Sequence, residues 1–237
     1  MRLHGTVVLV TGGSSGIGAA VARMLAAEGA TIVLASRNEG KLRQVAETLP
    51  DRSRTLIIPT DVGDEEQVRG MIEKTIKGFG KIDVLVNNAG FGVFGSIVDL
   101  TSEEFDRVLR VNLRGTFLCM KYALPGMYER NRGTVINISS LAGKHGFAGG
   151  AAYCSSKFGV MGLAECAFNE ARSHNVRMVT ICPGSVDTMF FDEANTTSPN
   201  RDKILQPEDV AATVLLALTL PERALVRELD IRPTNPR

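Results

Sequence analysis

Thr6-Val7-Val8-Leu9-Val10 is an unbroken apolar run that passes directly into Thr11-Gly12-Gly13-Ser14-Ser15-Gly16-Ile17-Gly18 and then into an alanine-rich stretch ending near Ala27. Apolar residues without polar alternation suit a strand covered on both faces, the environment of a parallel sheet. The alanine-rich stretch has helical spacing, and Gly29 supplies its stop. A strand, a glycine-rich turn and a helix in that order aim backbone N–H groups and a helix N-terminus at one point, where a phosphate can be held. Glycines also make plain tight turns, so the turn takes its meaning from the strand before it and the helix after it.

The same alternation continues. Strands are predicted over Ala30–Ser36, Thr55–Ile58, Ile82–Val86, Thr134–Ile138, Arg177–Cys182 and Ala224–Ile231. Helices are predicted from about Asp64 to Phe79, from the capping box of Thr101 and Glu104 to about Met127, through Tyr153 to about Ser173, and from Pro207 onward. Strand–helix alternation predicts one doubly wound, seven-stranded parallel sheet in a single domain spanning residues 1–237. Right-handed crossovers then place the strand-end motifs along one edge of the sheet.

Bulk properties remove several function classes. The 237 residues carry a net charge of +1 with no block of like charge, which gives no footprint for nucleic acid or an anionic membrane. No apolar run approaches the roughly 18 residues of a membrane span. Val7–Val10 is too short for a signal core. Cys119, Cys154, Cys166 and Cys182 show no C-x-x-C spacing, and His4, His145 and His174 are scattered, so reduced thiols, a cytoplasmic location and no metal site are expected.

Chemistry concentrates between Ser139 and Lys157. Tyr153 and Lys157 are four positions apart and share one helix face. A free phenol keeps its proton to about pH 10. A neighbouring ammonium favours the phenolate, so Lys157 is expected to lower the Tyr153 value toward neutrality, where it serves as an acid or base. Ser140, 13 positions earlier, stands at a predicted strand end within reach of the same helix start. Taken alone, a Tyr–Lys pair is an ordinary surface pair; the surrounding motifs give it weight.

Other positions allow two readings each. Ser36 and Arg37 stand where an NAD site usually has an acid for the ribose 2′-hydroxyl. An arginine fork suits a 2′-phosphate instead, although Arg37 is also an ordinary exposed residue at a helix start. Asp61 either accepts from an adenine amino group or satisfies N–H groups of the coming helix. Asn112 is a poor helix former among apolar neighbours, either a surface accident or a buried amide that needs partners.

Together these residues resemble the short-chain dehydrogenase/reductase family in its compact form. The resemblance rests on T-G-x-x-x-G-x-G at Thr11–Gly18, Asn87-Asn88-Ala89-Gly90, Asn112, Ser140, Tyr153-x-x-x-Lys157 and Pro183-Gly184, and it covers nearly the whole chain. The glycine spacing differs from the G-x-G-x-x-G of the common Rossmann fold, so the implied sheet is Rossmann-like. The resemblance implies hydride transfer between a nicotinamide and a small or medium carbonyl or secondary alcohol. It makes Tyr153 the general acid, has Ser140 bond the substrate oxygen and Lys157 hold the nicotinamide ribose, and gives Asn112 a water relay to Lys157. Gly12, Ser14, Ser15, Gly16, Ile17 and Gly18 would cradle phosphate. Ser36 and Arg37 would select NADP(H) over NAD(H), and Asp61 with Val62 would border adenine. Asn88, Ala89, Gly90, Pro183, Gly184, Val186 and Thr188 would line the remainder, with Thr188 on the carboxamide.

The family also implies a homodimer or homotetramer. The ending Asp230–Arg237 lacks the glycine-rich tail of many members, which leaves a dimer through the helices around Asn112 and after Tyr153. Phe91, Val93, Phe94, Leu141, Met189 and Phe190 are candidates for an apolar substrate pocket, or for simple core, and the segment between Thr188 and Pro207 is where the family closes over substrate. A catalytically silent NADP(H)-binding regulator is the alternative, which would have no need of Tyr153 and Lys157 together. An isomerase or dehydratase fits less well with a short chain lacking a separate substrate domain.

Overall fold

The computed structural model describes residues 2–193 and 200–235. Residues 194–199, in the segment expected to close over substrate, and the last two residues of the chain lie outside the described residues.

In chain order the elements are β1 (Val7–Thr11), α1 (Gly16–Ala27), β2 (Thr31–Ser36), α2 (Glu39–Glu47), β3 (Thr55–Pro59), α3 (Glu65–Phe79) and β4 (Val84–Asn87). Then follow α4 (Ser102–Leu109), a π-helical turn (Arg110–Arg114), α5 (Gly115–Glu129), β5 (Gly133–Ile138) and α6 (Ala151–Ala171). The last are β6 (Val176–Pro183), α7 (Phe190–Glu193), α8 (Pro207–Thr219) and β7 (Glu228–Ile231). The seven strands form one sheet in the order β3-β2-β1-β4-β5-β6-β7, with every neighbouring pair parallel. The chain winds outward through β2 and β3, then returns to β4 on the other side of β1. That reversal opens a crevice at the carboxyl ends of β1 and β4, where sheets of this kind bind ligands.

The apolar strand runs sort by parity onto two faces. Val8, Val10, Ile32 and Leu34 meet Leu25 of α1 and Val210 and Val214 of α8. Leu9, Leu85 and Val135 meet Met71 of α3 and Leu118 and Met127 of α5. At about 25 cal/mol per Å² of buried apolar surface, these two layers dominate the stabilisation of the fold. The capping box of Thr101 and Glu104 forms, and Pro207 starts α8.

Three expected elements differ. The predicted helix from Thr101 to Met127 is divided, because Asn112 sits in a π-turn that holds one extra residue between α4 and α5. β4 begins at Val84 rather than Ile82, since the Asp83 carboxylate accepts from the Val7 N–H at 2.9 Å before the regular ladder starts. β7 pairs only from Glu228, opposite Thr180, while the Arg227 guanidinium turns to Glu165 of α6 at 2.8 Å.

Candidate active site

Thr11 fastens the first two motifs together. Its Oγ1 donates to the Val86 carbonyl (3.2 Å) and accepts from the N–H groups of Asn88 (3.0 Å) and Ala89 (3.1 Å). The Asn88 side-chain amide donates back to the carbonyls of Thr11 (3.0 Å) and Gly12 (3.2 Å). This approach requires glycine: Gly12 has φ +64° and a Cβ there would lie 2.8 Å from Asn88 Nδ2, while a Cβ at Gly18 would collide with the Gly12 carbonyl. α1 therefore starts against the turn with no side-chain cap on Ser15 and no acid in its first turn. Its leading N–H groups remain available for an anion, which fits a pyrophosphate.

At the far end of the crevice, Ser36 Oγ is buried without a hydrogen-bond partner. Arg37 beside it is exposed and in no ion pair among the described residues. An orphan hydroxyl next to an unspent guanidinium fits a phosphate monoester. Asp61 uses Oδ1 for the Gly63 N–H (2.9 Å) and Oδ2 for Arg110 (2.9 Å), and each carboxylate oxygen has a second lone-pair site. Val62 is buried against Gly115. The segment after β6 folds back over the glycine turn: Val186 bridges to Leu205, and the Thr188 methyl would lie 3.0 Å from a Cβ on Gly16. Pro183 ends β6, and the Gly184 N–H donates to the Ile231 carbonyl at 2.8 Å.

Asn112 proves to be the buried amide with partners. Oδ1 accepts from the Phe91 N–H (3.0 Å), and Nδ2 donates to the Phe91 carbonyl (2.9 Å) and to Ser156 Oγ (3.0 Å). Ser156 in turn donates to the Tyr153 carbonyl at 2.7 Å, so one amide ties the strand-end loop to α6 between Tyr153 and Lys157. Sequence reasoning passed over Ser156; a hydroxyl inside the Tyr-x-x-x-Lys interval was the available signal. Ser140 caps a short turn, its Oγ accepting from the Ala142 N–H at 3.1 Å and donating to the Pro183 carbonyl at 3.5 Å. Gly90 borders this group: a Cβ there would lie 3.1 Å from Asn112 Oδ1 and 3.7 Å from Lys157 Nζ.

The electrostatics depart from expectation. Burial pushes the Tyr153 hydroxyl up to about 12, against a smaller lowering influence of the Ser140 side chain. The Lys157 ammonium does not reverse this, because its Nζ donates to the Ile138 carbonyl at 2.9 Å and lies 5.7 Å from the Tyr153 ring centre. Burial lowers the lysine itself to about 8. Desolvation disfavours charge in both groups, and it outweighs their mutual attraction.

Of the proposed pocket residues, Phe94 and Phe190 pack on the Tyr153 ring, at 5.7 and 5.3 Å between ring centres. Phe91 does not join them; its ring lies under the Arg107 guanidinium at 5.2 Å. Leu141 packs beside Gly184, Val93 is half-buried and Met189 is exposed. Among the described residues all four cysteines are free, no group of three or more His, Cys, Asp or Glu could hold a metal, and no helix is long and apolar enough to cross a membrane.

A family model described as short chain dehydrogenase matches residues 6–199. An uncharacterized oxidoreductase of Staphylococcus aureus is 37% identical over 227 residues, covering 96% of this chain and 96% of its own. An alcohol dehydrogenase of the archaeon Thermococcus sibiricus, solved with 5-hydroxy-NADP, is 30% identical with a TM-score of 0.89 over 97% of each chain. A metagenomic short-chain oxidoreductase solved with NADP is 36% identical with a TM-score of 0.85, over 99% of this chain and 100% of that one. With its parallel sheet, its strand-end crevice and these relatives, the chain belongs to the short-chain dehydrogenase family of oxidoreductases.

Proposed function

We propose that this oxidoreductase is a single-domain NADP(H)-dependent enzyme acting on a small or medium carbonyl or secondary alcohol, with Tyr153 as its general acid and base. The observation that carries the reading is the buried Asn112 amide, which ties the Phe91 backbone beside Gly90 to Ser156, between Tyr153 and Lys157 on α6. The N-terminus of α1 would hold the pyrophosphate, Asp61 and Val62 would border the adenine, and Ser36 with Arg37 would take the 2′-phosphate. Lys157 would hold the nicotinamide ribose, and Thr188 the carboxamide. Preference for NADP(H) over NAD(H) is supported by the orphan Ser36 hydroxyl, by Arg37, and by two structural neighbours solved with NADP or 5-hydroxy-NADP.

The nicotinamide, when bound, supplies or accepts the hydride. Ser140 bonds the substrate oxygen and holds it against Tyr153. Burial holds the Tyr153 proton more tightly than a free phenol does, and it passes to the oxygen as that oxygen becomes an alkoxide, a stronger base than a phenolate. Asn112 fixes the Phe91 backbone and Ser156, so Tyr153 and Lys157 keep their places as charge moves.

The test follows NADPH absorbance against aldehydes and ketones for wild type and Tyr153→Phe. At least a hundredfold loss of kcat is expected, and equal turnover by the variant overturns the acid assignment. Arg37→Asp should move the ratio of efficiencies toward NADH by tenfold or more; an unchanged ratio refutes the 2′-phosphate reading. The chain would act in the cytoplasm as a homo-oligomer, with α5 and α6 forming the contact where Phe117 is 44% exposed. Light scattering that finds only monomer refutes that contact.

A further inference from the structure

Resting on Tyr153 as the proton donor, we propose that the substrate carries an aromatic ring beside its carbonyl, selected by a cage of Phe94, Phe147 and Phe190. The rings come from separate segments: Phe94 from the loop after β4, Phe147 from the loop before α6, and Phe190 from α7. Phe94, Phe190 and Tyr153 form a triangle, with Phe94 and Phe190 5.9 Å apart and inclined at 73°. Phe147 adds a fourth ring, 5.9 Å from Phe94. The backbone makes room for them: a Cβ at Gly92 would lie 2.8 Å from the Phe190 ring, and one at Gly150 would lie 2.7 Å from Phe147.

Phe94 and Phe190 both pack against the Tyr153 ring, at 5.7 and 5.3 Å between centres, so a substrate group beside the hydroxyl meets their faces and edges. An aryl group seated among these rings gains tilted and edge contacts with Phe94 and Phe190, whereas an alkyl group of similar area does not. Anionic substrates are disfavoured because Lys157, the cation beside the Tyr153 ring, donates to the Ile138 carbonyl at 2.9 Å, and the cations of the adjoining segments are engaged as well. Lys144 is paired with Glu228 and Asp230, Arg201 with Asp187 and Asp192, and Arg107 lies over Phe91. A carboxylate entering the cage would lose its water without gaining a partner. Ile97, 77% exposed, and Val98, 85% exposed, follow Phe94 in the same loop and add apolar surface suited to an uncharged ligand.

The experiment combines turnover with equilibrium binding. With NADPH, acetophenone should be reduced at least about tenfold more efficiently than 2-butanone or benzoylformate. In calorimetry with NADPH present, 1-phenylethanol should bind about tenfold tighter than 2-butanol or mandelate, none of which reacts with reduced cofactor. Phe190→Ala, and the size-conserving Phe190→Leu should the first variant not fold, should bring the aryl-to-alkyl ratio close to one. The preference in binding with no turnover of any ketone would uphold the cage and refute the redox reading. Equal binding of 2-butanol or mandelate, or a preference that survives Phe190→Leu, overturns the cage.

Discussion

Lys157→Met should invert the order of stability between wild type and variant as pH rises. The ammonium of Lys157 keeps its proton to about 10.5 in an unfolded chain but only to about 8 in the folded one. Between those values the unfolded state binds more protons, so stability rises with pH. Below pH 8 both states are charged and the burial cost stands in full. Each pH unit of the gap corresponds to about 1.4 kcal/mol, which puts that cost at roughly 3.5 kcal/mol. Methionine removes the charge at similar volume but leaves the Ile138 carbonyl without its 2.9 Å bond, a loss of about 1–2 kcal/mol. The variant should therefore be more stable than wild type by about 1.5–2.5 kcal/mol at pH 7 and less stable by up to about 1 kcal/mol near pH 10. Tyr153, held near 12, lies above this window and is common to both proteins. Urea unfolding of the two proteins at half-unit steps from pH 7 to 10 measures the difference. A difference that stays flat, or that falls with pH, would falsify the burial argument.

Two other contacts outside the Tyr–Lys pair invite tests. Arg110→Ala removes the guanidinium from Asp61 while Arg114 still donates to the Gly63 carbonyl at 2.7 Å. NADPH binding followed by its fluorescence should weaken about three- to tenfold with kcat little changed; an unaltered Kd refutes a role for Arg110 in shaping that loop. Lys144→Met breaks the paired contacts to Glu228 and Asp230 that anchor the Ser140 turn to β7. It should cost about 1–2 kcal/mol in urea unfolding, shrinking in high salt, and lower kcat by less than Ser140→Ala does. A larger kinetic loss than Ser140→Ala would show that Lys144 does more than hold the turn.

What could be read along the chain was whatever neighbours in sequence decide. Val7–Val10 names a buried strand because no residue in it offers water a polar face. Thr101 and Glu104 name a helix start because three residues separate a cap from its partner, and Tyr153 with Lys157 share a face because a helix turns every 3.6 residues. The same reasoning anticipated the parallel sheet and the placing of the glycine turn, Asn88 and Ser140 at strand ends.

Only the tertiary structure decided how these groups behave. Asn112 interrupts its helix because it bonds to Phe91 and Ser156, 21 and 44 positions away. Phe91 leaves the expected pocket because Arg107 of α4 covers its ring. The proton of Tyr153 is held more tightly, not less, because rings from distant loops exclude water while Lys157 turns to Ile138. Periodicity and capping are local and leave a mark in the order of residues; desolvation is set by everything that surrounds a group at once, and no short stretch of chain records it.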